Sequence, residues 1–229
     1  MTPPPVLRLV VADPQADPAS LDARERRRAL AFARAADRDR YVTAHPEPRR
    51  IPAARLGIAP RQVTLTREPC PVCGAPHGRP AVAAGTPHFS LAHSGDLCLI
   101  ALAATPVGVD MERVPPRDVA TGLASCFHPR ERAELTALPE DGQPLAVTRT
   151  WVRKEAYLKG LGTGLARELS TDHLGTGVTP AEGPPGWTIA DIAMDSSRGA
   201  AIAFRQRSAG KQPLGCGAMV VFKGLPCGR

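Results

Sequence analysis

Aromatic side chains are scarce in this chain, with Phe, Tyr and Trp together making up 4% of 229 residues. A protein that binds single-stranded nucleic acid by stacking bases on aromatic platforms has little to work with here. Long apolar runs are also missing. The longest, Leu97 to Ala104, falls far short of the roughly 20 residues that span a bilayer, so no membrane contact is expected. The Pro-rich N-terminus has no basic n-region and meets Asp13 early, which argues against a secretory signal. A cytoplasmic chain follows, its six cysteines expected as reduced thiols instead of a disulfide framework. Cys70-Pro-Val-Cys73, with His77 nearby, has no second Cys-x-x-Cys to complete a four-ligand zinc site, so it reads as a turn carrying thiols. Gly160-Leu-Gly162-Thr-Gly164 lacks the Lys-Ser/Thr of a phosphate-binding loop and follows a helical pattern, so it reads as a helix stop. No internal repeat is visible.

What is present is ordinary for a globular protein: 43% hydrophobic and 22% charged residues, on a chain long enough to bury a core. The net charge of +7 is uneven, because residues 1–106 carry 14 basic against 9 acidic side chains. The excess lies in Arg24, Arg26, Arg27, Arg28, Arg34, Arg38 and Arg40, then Arg49, Arg50 and Arg55. An arginine-rich first half suits a polyanionic ligand, although a solvated helix face explains the same charges.

Pattern and punctuation predict a strand over 6–11 and a basic helix over 21–36 capped by Ser20 or Asp22. The segment 41–56 is interrupted by Pro46, Pro48 and Pro52. A strand is expected at 63–66, a hairpin over 88–103 around Ser94-Gly95-Asp96, and a strand at 107–112. Helices follow at 129–138 and 145–161, then strands at 187–193, 200–205 and 217–222. Hairpins mixed irregularly with helices indicate an α+β fold.

Two acidic segments stand out. In Gly108-Val109-Asp110-Met111-Glu112, strand alternation sends both carboxylates to one face. In Trp151-Val-Arg-Lys-Glu155-Ala-Tyr-Leu158-Lys159, helical spacing puts Glu155 on a stripe with Trp151 and Leu158, where a core residue would be expected. Asp110, Glu112 and Glu155 are hard oxygen donors suited to Mg²⁺, with Mn²⁺ as a substitute. Three carboxylates about 4 Å apart would repel by roughly 4 kcal/mol per pair at an effective dielectric of 20, so they call for a cation. Glu155 is then a candidate general base, and Lys159, one turn on, can meet charge developing on a phosphate. An exposed i,i+4 ion pair is the bland account of Glu155 and Lys159.

These two segments resemble the signature motifs of the 4′-phosphopantetheinyl transferase superfamily, in its larger, broad-specificity type that activates polyketide and nonribosomal peptide synthetases. Phe89-Ser-Leu-Ala-His93-Ser-Gly95 resembles a third motif and Gly78-Arg79-Pro80 a fourth, all in the expected order. The resemblance implies two similar α/β halves related by a pseudo-two-fold, with the active site in the cleft between them. Residues 1–106 would supply coenzyme A nucleotide contacts, and residues 107–229 the metal site and carrier docking. It implies transfer of the phosphopantetheine arm from coenzyme A to a serine of an apo acyl or peptidyl carrier protein, by a monomer. Coenzyme A contacts are expected from Arg28, Arg40, Gly78, Arg79, Pro80, His93, Asp110, Lys154 and Lys159. The stretch from Gly162 to His173 is expected to be flexible and to offer a carrier docking surface.

Two departures qualify the resemblance. The family usually has Ser before the motif His, whereas this chain has Ala92, so a hydroxyl contact to phosphate is expected to be missing. The family also has a continuous helix across 41–56, where three prolines stand here. Two alternatives therefore stay open: a non-catalytic relative that binds coenzyme A or a carrier, and a metal-dependent phosphodiesterase or nuclease.

Overall fold

A computed structural model of the protein describes residues 4–206. Its first sheet grows from the hairpin of β4 (His88–Ser94) and β5 (Leu97–Ala103), joined by a two-residue turn. Gly95 occupies that turn at φ +63°, a left-handed conformation glycine adopts without a steric penalty. β1 (Val6–Val11) pairs antiparallel with β5, Val6 opposite Leu102, giving the order β1-β5-β4. A second antiparallel sheet has the order β6-β8-β7, from β6 (Val107–Arg113), β7 (Trp187–Asp191) and β8 (Arg198–Arg205). Both sheets thus place their strands in the order first, third, second.

The two sheets face each other. Leu7, Ala92, Leu99 and Ala101 of the first pack with Val107, Val109, Met111 and Ile202 of the second in one buried cluster. The outer face of the first sheet, with Phe89, Ile100 and Leu102, meets Ala53 of α3 (Glu47–Leu56) and Val82 of β3 (Pro80–Val82). The outer face of the second carries α6 (Gln143–Leu161), whose Val152, Ala156 and Tyr157 bury against Ala201 and Ala203. Alanines on the strand side let the helix lie close. α4 (Arg117–Ala124) and α5 (Pro129–Thr136) flank α6 around Phe127, Leu135 and Val147.

The basic helix is shorter than the sequence pattern suggests. α1 spans Ala23–Leu30, with Asp22 and Glu25 forming a capping box, and α2 (Ala35–Ala44) begins afresh. Ala29 is the one buried residue of α1, too little apolar surface to extend it; the chain turns so that Phe32 reaches Tyr41, ring centroids 5.3 Å apart. The prolines are accommodated and not disruptive. Pro46 caps α3 and Pro48 lies in its first turn, where the missing N–H is not needed, so Pro52 alone removes an interior hydrogen bond. The expected helix over 41–56 is therefore two helices broken at His45-Pro46. β2 (Leu65–Arg67) begins two residues later and ends one later than expected, and α4 has no counterpart in the sequence reading. The expected strand at 217–222 lies outside the described residues. Among the described residues no helix is long and apolar enough to cross a membrane.

Candidate active site

Alternation along β6 does what the sequence predicts. Val107, Val109 and Met111 enter the core between the sheets, leaving Gly108, Asp110 and Glu112 toward α6. Gly108 is the reason helix and strand meet so closely. A Cβ there would stand 1.9 Å from the Ala156 carbonyl oxygen and 2.4 Å from the Gly160 nitrogen, so only glycine fits. This contact brings Glu155 and Lys159, one helical turn apart, over the two strand acids. Lys159 Nζ lies 2.6 Å from Asp110 Oδ1. Asp110 is 4% exposed, and its Oδ2 is buried without a hydrogen-bond partner.

Burial pushes the carboxyl groups of Asp110, Glu112 and Glu155 above their ordinary values. Asp110 adds to the upward push on both glutamates, and Glu112 to that on Glu155, while Lys159 opposes it at all three. The three acids therefore share one electrostatic site. They are not as tightly gathered as the sequence argument assumed, because they do not form a set of ligand atoms within 4.8 Å of one another. Like charges spread, and Lys159 draws Asp110 toward itself.

The first sheet closes the other side. β4 runs beside β6: Ser90 Oγ accepts from the Val109 N–H at 3.1 Å, and Ser94 Oγ donates to Glu112 Oε2 at 3.4 Å. His93, between these serines, points to the opposite face and is exposed. It is still near enough for its charge to favour ionised Asp110. The same His93 lines a cavity of about 330 Å³ with Arg28, Arg40, Tyr41 and Leu91. Arg28 sits 6.0 Å from the centre of the Tyr41 ring, and Arg40 is ion-paired with Asp37. The cavity wall also carries Asp37 and Asp96, so its two arginines are balanced by two acids, and His93 is the wall residue whose field reaches Asp110.

Several expected contacts are placed elsewhere. Lys154 is buried on the far side of α6, donating to the carbonyls of Leu169 (2.8 Å) and Asp172 (2.5 Å) and pairing with fully buried Glu131 at 2.8 Å. An ammonium has three donors, and in this structure all three are engaged within the protein. Arg79 is likewise committed, to the Gly160 carbonyl and to Glu68, each at 2.7 Å, so it ties the 69–80 turn to the end of α6 and does not line the cavity. Gly78 and Pro80 support that turn; a Cβ on Gly78 would stand 2.5 Å from the Glu68 carbonyl oxygen. Ala92 faces the core and not the cavity, because it alternates with His93 along β4, so a serine hydroxyl there would not reach a phosphate bound beside His93. The stretch after Gly162 is pinned and not free, by Lys154 and by Arg167, which pairs with Asp172 at 2.8 Å.

Sequence reasoning missed Tyr41, whose i,i+4 stack on His45, at 3.8 Å between ring centroids, shapes the cavity wall. It also missed Arg153, fully buried and bonded to Asp191 and to the carbonyls of Gly175 and Gly177. The i,i+4 repeat was a legible signal for the first; nothing local distinguishes the second from Lys154.

A sequence profile described as the 4′-phosphopantetheinyl transferase superfamily matches residues 106–193, the span that carries β6 and α6. The 4′-phosphopantetheinyl transferase HetI of Nostoc sp. is 32% identical over 191 residues, covering 81% of this chain and 78% of that protein. The transferase psf-1 of Bacillus pumilus is 36% identical over 84 residues, 37% of this chain and 36% of that protein. Sfp of Bacillus subtilis is 31% identical over 85 residues, 37% of each chain. With an acid-bearing strand and helix joined at Gly108 and a relative aligned along most of its length, this chain belongs to the 4′-phosphopantetheinyl transferase superfamily.

Proposed function

We propose that this protein transfers the 4′-phosphopantetheine arm of coenzyme A to a serine of an apo acyl or peptidyl carrier protein, releasing adenosine 3′,5′-bisphosphate. One observation carries the reading: His93, whose field reaches the acid cluster of Asp110, Glu112 and Glu155, lines a cavity with Arg28 and Arg40, opposed there by Asp37 and Asp96. That pairing suits a nucleotide phosphorylated at two positions, a 3′-phosphate beside the arginines and a 5′-diphosphate reaching the acids through a cation.

The reaction forms a bond from the serine oxygen to the β-phosphorus and breaks the bridge to the adenosine phosphate. Glu155, on the face of α6 turned to the strand acids, takes the serine proton directly or through a water. Lys159 is held against Asp110 and can turn its charge toward the departing phosphate. The acid set and the unpartnered Asp110 Oδ2 fit a hard divalent cation, so Asp110, Glu112 and Glu155 would hold Mg²⁺, or Mn²⁺ in its place. When bound, that ion neutralises and polarises the phosphoryl oxygens.

The shared strand order of the two sheets supports a pseudo-two-fold relation of halves, divided near residues 106 and 107, with the site at their seam. The grounds for a non-catalytic relative weaken: Ala92 faces the core, and two of the three prolines begin a helix. The test is to incubate the protein with coenzyme A, Mg²⁺ and apo carrier domains and weigh the carriers by mass spectrometry. The carriers should gain a phosphopantetheine arm, and Glu155→Gln or a chelator should abolish the gain. Carriers of unchanged mass across a panel would refute the transfer.

A further inference from the structure

We propose that Cys70, Cys73 and His77 form a zinc-binding clip, separate from the acid cluster, that fastens the 69–80 turn. The sequence alone gives two cysteines and a histidine with no second pair; the fold makes them a set. Among the described residues they are the only three metal-ligating side chains whose donor atoms lie within 4.8 Å of one another. Cys73 Sγ lies 3.0 Å from His77 Nε2. Sulfur at about 2.3 Å and imidazole nitrogen at about 2.0 Å from a tetrahedral zinc would stand about 3.5 Å apart, so an outward shift of about half an ångström admits the ion.

The backbone is already shaped for it. The Gly74 N–H donates to the Cys70 carbonyl and the Cys70 N–H to the Ala75 carbonyl, each at 2.8 Å. Gly74 takes φ +73°, which lets the chain reverse directly after Cys73. The N–H groups of Cys73 and Val72 point at the Cys70 sulfur, as they would at a metal-bound thiolate. Cys98, buried without such donors, is pushed up to about 12 and is unsuited to the role. Cys70 is buried while Cys73 and His77 are exposed, so the ion can enter from solvent. Two soft thiolates and an imidazole select Zn²⁺ over Mg²⁺, the fourth position going to water. Binding releases the two thiol protons to solvent.

The clip has a structural consequence. The turn it closes leads into Gly78 and Arg79, and Arg79 reaches the Gly160 carbonyl at the end of α6. A metal there would hold the attachment between the first half and the helix that carries Glu155 and Lys159.

The test uses the full-length protein, reduced and desalted after incubation with Zn²⁺, with metal measured by plasma mass spectrometry. About one equivalent should remain in the wild type and in Cys126→Ser, and Cys73→Ser and His77→Gln should lose it. Both of those test positions are exposed, so the variants should fold; their circular dichroism checks this. Co²⁺ should give thiolate charge-transfer and tetrahedral ligand-field bands in the wild type and in Cys126→Ser, and in neither Cys73→Ser nor His77→Gln. No retained zinc and no cobalt bands with reduced thiols would overturn the proposal. So would zinc retained equally by Cys73→Ser and His77→Gln, or a Cys70–Cys73 disulfide that forms as readily with zinc present as without it. None of these readouts depends on the transferase reaction.

Discussion

Replacing Lys154 by Met separates a structural lysine from a substrate contact. In the folded chain its ammonium neutralises fully buried Glu131, which itself accepts from the N–H groups of Leu174 (2.7 Å) and His128 (3.0 Å). Met fills the volume but leaves that carboxylate without a counter-charge and two carbonyls without a donor. Removing one partner of a buried pair costs about 3–5 kcal/mol, and the two remaining N–H donors argue for the lower end, about 3 kcal/mol. For a chain of this size each kcal/mol moves Tm by roughly 2–4 °C, so a fall of roughly 6–12 °C is expected. Adding Glu131→Gln should restore about 1–2 kcal/mol, since the stranded charge is then gone. Urea and thermal denaturation of the four proteins in the cycle give the coupling. The KM for coenzyme A of the folded Lys154→Met enzyme should stay within about twofold of wild type. A Tm like that of wild type, together with a KM raised tenfold, would refute the assignment and return Lys154 to the substrate.

Gly108→Ala should unfold or displace α6, because its methyl would stand 1.9 Å from the Ala156 carbonyl oxygen; a folded, fully active variant would contradict the close contact. Ala92→Ser should cost about 1 kcal/mol by burying a hydroxyl in the core, measured by urea titration, without tightening coenzyme A binding. Glu155→Gln should stabilise the protein in chelator while abolishing transfer. Raised carboxyl groups contribute stability fully below the ordinary carboxylate range and lose it as pH rises through their folded values, so the advantage should appear above about pH 4. Burial first, then repulsion from Asp110 and Glu112, is the cause, opposed by Lys159; a Tm difference independent of pH would count against the shared site. Arg28→Ala should raise the KM for coenzyme A roughly tenfold, a loss of about 1.4 kcal/mol, and leave that for 3′-dephospho-coenzyme A nearly unchanged, as steady-state kinetics would show.

What could be read in advance was what depends on short-range pattern. Alternation along 107–112 sorted Asp110 and Glu112 to one face, and helical spacing sorted Glu155 and Lys159 to another. Which of two neighbouring lysines faces the acids is a matter of helix rotation, set by Gly108 meeting Ala156 and Gly160, and that contact spans some fifty residues of sequence. Sequence spacing therefore places Lys159 with Glu155 but leaves Lys154 open as a coenzyme A contact. Pro46, Pro48 and Pro52 looked disruptive because a helix boundary at Pro46 has no marker except the prolines themselves. The Cys70, Cys73 and His77 set was discounted by counting ligands in pairs, when a single reversal at Gly74 gathers three.

All three carboxylates are borne by one strand and the helix laid on it, whereas His93 and the arginines are borne by the opposing sheet and its helices. Breathing of the interface between the sheets would loosen or tighten the grip on the nucleotide while the spacing of the acids stayed constant. Affinity for the donor and reactivity of the transferred group can thus drift independently under mutation, each tuned by changes that leave the other alone.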